Sequence, residues 1–195
     1  MSKSIKKEPK GKYGLIIQNC VLKTRYKIKD WVPKNSKYDL PLALNSISAK
    51  NVSIKSTRCN TIYCGSVFNF LASTSLEMVI IKYNLSSTTG SINVNDYYIV
   101  NDLKVFFIKL NESIDLVKLN KLNLYLKSLK YPFLQKEKDK CHSVAKLISK
   151  NCLCGFRVNV KLSSKNKRLQ CSLNLNLFLI EVNWKFGSKI ELNFS

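Results

Sequence analysis

The stretch Phe156–Ile180, FRVNVKLSSKNKRLQCSLNLNLFLI, carries the clearest structural signal in the chain. Phe156, Val158, Val160 and Leu162 alternate with Arg157, Asn159 and Lys161, the period of two that a half-buried strand requires. A basic turn, Lys165-Asn166-Lys167-Arg168, follows, and Leu169, Cys171, Leu173, Leu175 and Leu177 resume the alternation. Apolar parity then shifts to Phe178, Ile180, Val182 and Trp184, which predicts a bulge near 177–179. Gly187 turns the chain into a last strand with Ile190, Leu192 and Phe194 inward. The segment reads as an antiparallel C-terminal meander.

Upstream of it the period changes to that of helices. Residues 137–151 place Cys141, Val144, Ala145 and Ile148 on one face, with Asn151 as a C-terminal cap. Residues 113–131 place Ile114, Val117, Leu122, Tyr125, Leu126 and Leu129 along a stripe, with Ser113 as N-cap, Asp115 in the first turn and Pro132 as the stop. Before these helices come β-like segments at about 51–56, 61–71, 76–83, 92–100 and 103–110. Residues 30–50, with Pro33 and Pro41, read as a connector. Leu22, Thr24, Tyr26 and Ile28 alternate with Lys23, Arg25, Lys27 and Lys29, which predicts a strand carrying four cations on one face. The expected fold class is α+β: an antiparallel β-rich core with two helices (about 113–131 and 137–151) preceding a C-terminal β-meander. A basic tail, residues 1–12, precedes a single α+β domain, residues 13–195, and no fixed-period repeat is present.

Composition bounds the function. The 195 residues are 45% hydrophobic, enough for a packed core. The longest apolar runs, such as Met78–Ile81, fall far short of the roughly 18 residues a membrane span needs, and no secretory leader is legible. Seven cysteines in irregular spacing, without an export signal, read as reduced thiols in a cytosolic or nuclear setting, and the expected location is the cytoplasm. The net charge of +21 calls for a polyanionic partner. Only four of the 33 cations are arginines, so contacts to phosphate are expected to outweigh reading of bases.

The charge is unevenly placed. Residues 1–37 hold eleven cations against Glu8 and Asp30, and residues 136–168 hold ten against Glu137 and Asp139. An A/T-rich genome favours lysine and asparagine codons, but it does not account for that clustering. The candidate RNA-binding residues are therefore Lys3, Lys6, Lys7, Lys10, Lys12, Lys23, Arg25, Lys27, Lys29, Arg157, Lys161, Lys165, Lys167 and Arg168. Tyr13, Tyr26, Trp31 and Phe156 stand near them in sequence, as candidates either for stacking on bases or for the core.

Catalytic devices are scarce. His142 is the one histidine, so every Ser/His or Cys/His mechanism must pass through it. Phosphate-binding glycine loops and clustered carboxylates are missing from the sequence. The expectation is a protein that is not an enzyme and takes no small-molecule substrate or cofactor. Cys59, Cys64, Cys152 and Cys154 are the weak candidates for a structural zinc site, against the alternative of buried thiols. The expected function is a non-catalytic RNA-binding protein docking on a large ribonucleoprotein. A ribosome-associated factor contacting rRNA and ribosomal proteins fits best, and one version of it occupies a functional site and keeps the ribosome inactive. The alternatives are a small viral RNA-binding protein or silencing suppressor, and a capsid or scaffold interaction protein. No membrane partner is expected.

Overall fold

The computed structural model describes residues 12–28, 38–73, 76–164, 166–188 and 192. Its elements run α1 (Lys12–Thr24), β1 (Asn51–Thr57), β2 (Thr61–Ser66), α2 (Val67–Leu71), β3 (Leu76–Leu85), β4 (Ile92–Val100), α3 (Lys104–Ser113), α4 (Leu116–Ser128), α5 (Gln135–Ser149), β5 (Arg157–Ser163), β6 (Asn166–Asn174), α6 (Leu175–Glu181) and β7 (Trp184–Phe186). The class is α+β. Sheet A has the order β1-β3-β4-β7 and sheet B the order β2-β6-β5. Every pairing is antiparallel except β1 with β3. Among the described residues, no helix is long and apolar enough to cross a membrane.

β3 organises the packing, because it is buried on both faces. Leu76, Met78 and Ile80 enter one core, shared with sheet B and helices α2 to α6. Val79, Ile81 and Tyr83 enter a second core with α1, β1 and β4. Glu77 has the parity of the second set and is 0% exposed. It accepts hydrogen bonds from the Tyr26 hydroxyl and, at 3.3 Å, from Arg25 Nη2. Both donors lie just beyond the C-terminal end of α1, so this buried carboxylate fastens that helix to the sheet.

Local chemistry explains the elements that sequence periodicity places well. In α5, Cys141, Ala145 and Ile148 are buried at helical spacing, and Glu137 Oε2 accepts the Leu134 N–H at 2.8 Å. In α4 the N-cap is Asp115, whose Oδ1 accepts the Lys118 N–H at 2.8 Å. Ser113, expected as that cap, instead ends α3, donating to the Leu110 carbonyl and accepting the Leu153 N–H. β2 departs from regular pairing at a bulge between Tyr63 and Gly65, where Gly65 takes a φ of 78°.

Four segments differ from their sequence expectation. The strand expected from Leu22 to Lys29 does not form over its described residues: 22–24 finish helix α1 and 25–28 are its irregular exit, because Ile17, Cys20 and Val21 bury at helical spacing. The β-like segment 61–71 breaks at Ser66, which caps α2 by accepting the Asn69 N–H. The segment 103–110 is helical: Leu103, Phe106, Phe107, Leu110 and Ile114 are buried at helical spacing. The parity shift near 177–179 marks α6, capped by Asn174 Oδ1 on the Leu177 N–H, and no bulge occurs there. After α6 the chain crosses to sheet A, where β7 pairs with β4 and Trp184 and Phe186 pack on Tyr98. The strand expected at 190–194 lies outside the described residues, apart from buried Leu192.

Arg25→Met leaves the buried Glu77 carboxylate without its cation and is expected to cost about 3 kcal/mol of unfolding free energy. Denaturant titration measures this, and Arg25→Met combined with Glu77→Leu is expected to recover most of the deficit. Burial, and then the bond to Glu77, push the Tyr26 hydroxyl well above its ordinary value. The folded chain therefore holds that proton after the unfolded chain has released it, so this contribution to stability is complete below pH about 10 and declines above it. Tyr26→Phe is expected to flatten that alkaline decline.

Candidate nucleic-acid interface

Sheet B packs into the core by one face, and its other face carries exposed side chains around the buried Ser172. Val158, Val160, Leu169, Cys171 and Leu173 point into the core shared with the helices. The alternate residues form the outer face. In register, Arg157 stands opposite Ser172, Asn159 opposite Gln170, and Lys161 opposite Arg168. Across β6, Ser172 also meets Tyr63 of β2. Arg157, Lys161 and Arg168 are exposed, and Tyr63 is 64% exposed. Asn159 Nδ2 donates to Ser172 Oγ at 3.1 Å, which orders the middle of the face.

This face contains cations, amides and an open aromatic ring, and β2, β5 and β6 contain no acid. None of the ion pairs formed among the described residues involves Arg157, Lys161 or Arg168. Lys161 and Arg168 are directly opposed like charges, an arrangement that opposes strand pairing unless an anion bridges them. A phosphate above the pair would relieve the repulsion, while Tyr63 offers a base a surface on which to stack.

A groove adjoins the face along the free edge of β5. It comprises two hollows of about 1220 Å³ and 370 Å³ that share His142, Val160 and Lys161. Helix α5 forms its far wall with Lys138, His142, Lys146 and Lys150, which recur every fourth residue and so lie in one row. The two acids of α5 are engaged in its first turns: Glu137 accepts from Leu134, and Asp139 accepts from Gln135 Nε2 at 2.8 Å. Gly155, with a φ of 58°, turns the chain from α5 into β5, and a side chain there would press on Asn174 at 3.3 Å.

The remaining sequence candidates divide cleanly. Arg25 belongs to no exposed cationic face, since its guanidinium pairs with Glu77. Lys167 Nζ donates to the carbonyls of Lys127 and Leu129, both at 2.8 Å, and so caps the C-terminal end of α4. Lys12, Lys23 and Lys27 belong to α1 and its exit, on the face of sheet A that sheet B does not share. Lys23 and Lys27 are therefore not joined to the sheet B cations, and neither is Lys12. Lys3, Lys6, Lys7, Lys10, Lys29 and Lys165 lie outside the described residues, as does Trp31. Tyr26 and Phe156 are buried, and Tyr13 packs against the α1 core. Tyr63, Asn159 and Gln170 join the face without having stood out in the sequence. The step-of-four row on α5 is legible in the sequence, but Tyr63 becomes a neighbour only through strand register.

The cysteines do not converge. Cys59 is exposed in the turn between β1 and β2, Cys64 meets Cys171 across β2 and β6, and Cys152 donates to the Ile148 carbonyl at 2.9 Å. Among the described residues, no three His, Cys, Asp or Glu side chains are grouped so as to hold a metal ion. The expected zinc ligands Cys59, Cys64, Cys152 and Cys154 thus do not fit such a site. His142 lines the groove, whereas its neighbour Cys141 is buried in the core. Comparison with protein-family models, curated proteins and solved structures finds no match to the chain.

Cys59 is set apart by its acidity as well as its exposure. Hydrogen bonding by Thr57, then the Thr61 backbone, with help from the charge of Lys82, lowers its thiol below the ordinary value. Burial pushes Cys154 up to about 12 and raises Cys141, Cys152 and Cys171. In the folded protein a thiol-reactive disulfide reagent is expected to show one fast phase, with a midpoint below the usual thiol range. Cys59→Ser is expected to abolish that phase.

Proposed function

We propose that this chain is a non-catalytic RNA-binding protein that docks on a large ribonucleoprotein, as a ribosome-associated factor of the cytoplasm contacting rRNA. The observation that carries this reading is the opposed pair Lys161 and Arg168, exposed and, among the described residues, without an acidic partner, on a face that also presents Arg157 and Tyr63. Strands normally avoid directly opposed like charges, and a phosphodiester backbone supplies the missing counter-charge. An open antiparallel sheet with an exposed ring suits unpaired bases better than a duplex groove, which calls for a projecting helix or ribbon. The amides of Asn159 and Gln170 supply hydrogen bonds beside the ring. The net charge of +21 supports a large polyanion over a small ligand. Ribosomal proteins adjoining the rRNA complete the proposed partners.

Titration of the protein with fluorescent single-stranded RNA at several salt concentrations tests the reading. Lys161→Ala with Arg168→Ala is expected to weaken binding and to reduce the salt slope by about 0.7 for each phosphate that is no longer neutralised. Tyr63→Ala is expected to cost about 1–3 kcal/mol per stacked base while leaving the slope unchanged. In cell extract, the protein is expected to sediment with ribosomal subunits at low salt and to leave them at high salt. A slope unaffected by the double substitution overturns the assignment of this face.

A further inference from the structure

The β5 edge has a feature that RNA docking on the outer face does not use. The pairing of Ser163 with Asn166 closes the β5–β6 hairpin. In an antiparallel pair, alternate residues exchange both backbone hydrogen bonds with the partner strand, while the residues between turn theirs away. Val158 belongs to the outward set, because its N–H donates to Ser149 Oγ of α5 at 2.9 Å. Val160 and Leu162, two and four residues further on, share that orientation. Among the described residues, no hydrogen bond occupies the Val160 N–H or carbonyl on this side.

This edge is not open to bulk solvent on a flat rim. α5 touches β5 at Ser149 and Val158, and the groove of about 1220 Å³ runs between helix and strand from there. Its walls carry two kinds of surface. Ala145, Val158, Val160 and the 62% exposed Leu147 are apolar, whereas Lys146, Lys150, Arg157 and Lys161 are cationic. None of the residues lining either hollow is acidic.

We infer that this groove binds an extended acidic segment of a partner protein, which adds to sheet B as a strand beside β5. Its backbone pairs with Val160, whose N–H and carbonyl both face the groove without a partner among the described residues. Side chains of an added strand alternate between faces. Those on the outer side lie beside Arg157 and Lys161 and are carboxylates, and those on the inner side lie over Leu147 and Val160 and are apolar. Lys146 and Lys150 supply the positive field that draws the segment in. A segment of about five residues, a usual strand length, fits the edge. Strand addition here differs from RNA binding by the outer face in using the β5 backbone and α5, and shares with it only Arg157 and Lys161.

The probe is a fluorescein-labelled peptide, fluoresceinyl-Glu-Val-Glu-Val-Glu-Val-amide, into which the full chain is titrated while anisotropy is followed. Binding is expected, and methylation of every second backbone nitrogen distinguishes the two edges of the peptide. Methylation of the set facing β5 is expected to abolish binding, while methylation of the other set leaves it intact. If both sets, or neither, alter binding, strand addition is overturned. Val160→Pro removes the outward N–H without touching the ladder to β6, and is expected to weaken the peptide about tenfold. Lys146→Glu with Lys150→Glu is expected to weaken it similarly, with circular dichroism checking that α5 persists. Single-stranded RNA affinity is expected to survive Val160→Pro. If that variant weakens RNA and peptide alike, and RNA displaces the peptide, the groove is an RNA site and strand addition by a protein is refuted. An RNA salt slope that ignores Lys161 and Arg168, with peptide binding intact, overturns only the reading of the outer face.

Discussion

Strand β3 has no solvent face over its first six residues, and the rest of the molecule is arranged to cover it. Residues 76–81 are all buried, with Leu76, Met78 and Ile80 on one side and Glu77, Val79 and Ile81 on the other. A strand buried twice needs two layers, and the chain supplies α1 for one side and the combined mass of sheet B and helices α2 to α6 for the other. The cost of this arrangement is concentrated at Glu77. A lone carboxylate there would be prohibitive, so the end of α1 brings a guanidinium and a phenol to it. One strand thereby dictates where α1 ends, and removes Arg25 from the surface.

The same layering leaves sheet B with one wet face. Helices α4 and α5 occupy its inner side, while Arg157, Lys161, Arg168 and Tyr63 stand exposed on the outer one. Because side chains alternate along β5 and β6, Arg157, Lys161 and Arg168 are forced to that outer side along with the amides of Asn159 and Gln170. Lys167 has the opposite parity and turns toward the C-terminal end of α4, whose carbonyls it satisfies. Parity therefore separates cations available to a partner from cations engaged in the fold. The groove follows from a second constraint: β5 is an edge strand, and α5 is hydrogen-bonded to it at Ser149 and Val158, near one end.

Elements with caps and several helical turns are legible from sequence. α5 and α4 repeat their apolar spacing over three or more turns, so the helical period cannot be confused with alternation. α6 and α2 are a turn or two long, and over such windows Leu175 and Phe178 fit either period. α3 is concealed by composition: Val105, Phe106, Phe107 and Ile108 favour strands, yet burial at 103, 106, 107, 110 and 114 follows the helix. The alternation that begins at Leu22 misleads through the added lure of its cations, Lys23, Arg25 and Lys27. At the candidate interface, Arg157, Lys161 and Arg168 follow from alternation within a single hairpin. Tyr63 does not, because its place beside Ser172 depends on pairing between β2 and β6, which are distant in sequence.

Composition and local order alone establish the charge of +21, its clustering, the α+β class and the period-two pattern that puts Arg157, Lys161 and Arg168 on one side of β5 and β6. These are properties of residue content and of neighbours a few positions apart. Which cations are free is settled by the long-range fold. Arg25 is neutralised by a carboxylate 52 residues away, and Lys167 is held by carbonyls 38 and 40 residues away, while Lys161 and Arg168 face each other across the ladder. Availability of a charge is a matter of distant contact and burial, and local periodicity holds no information about either.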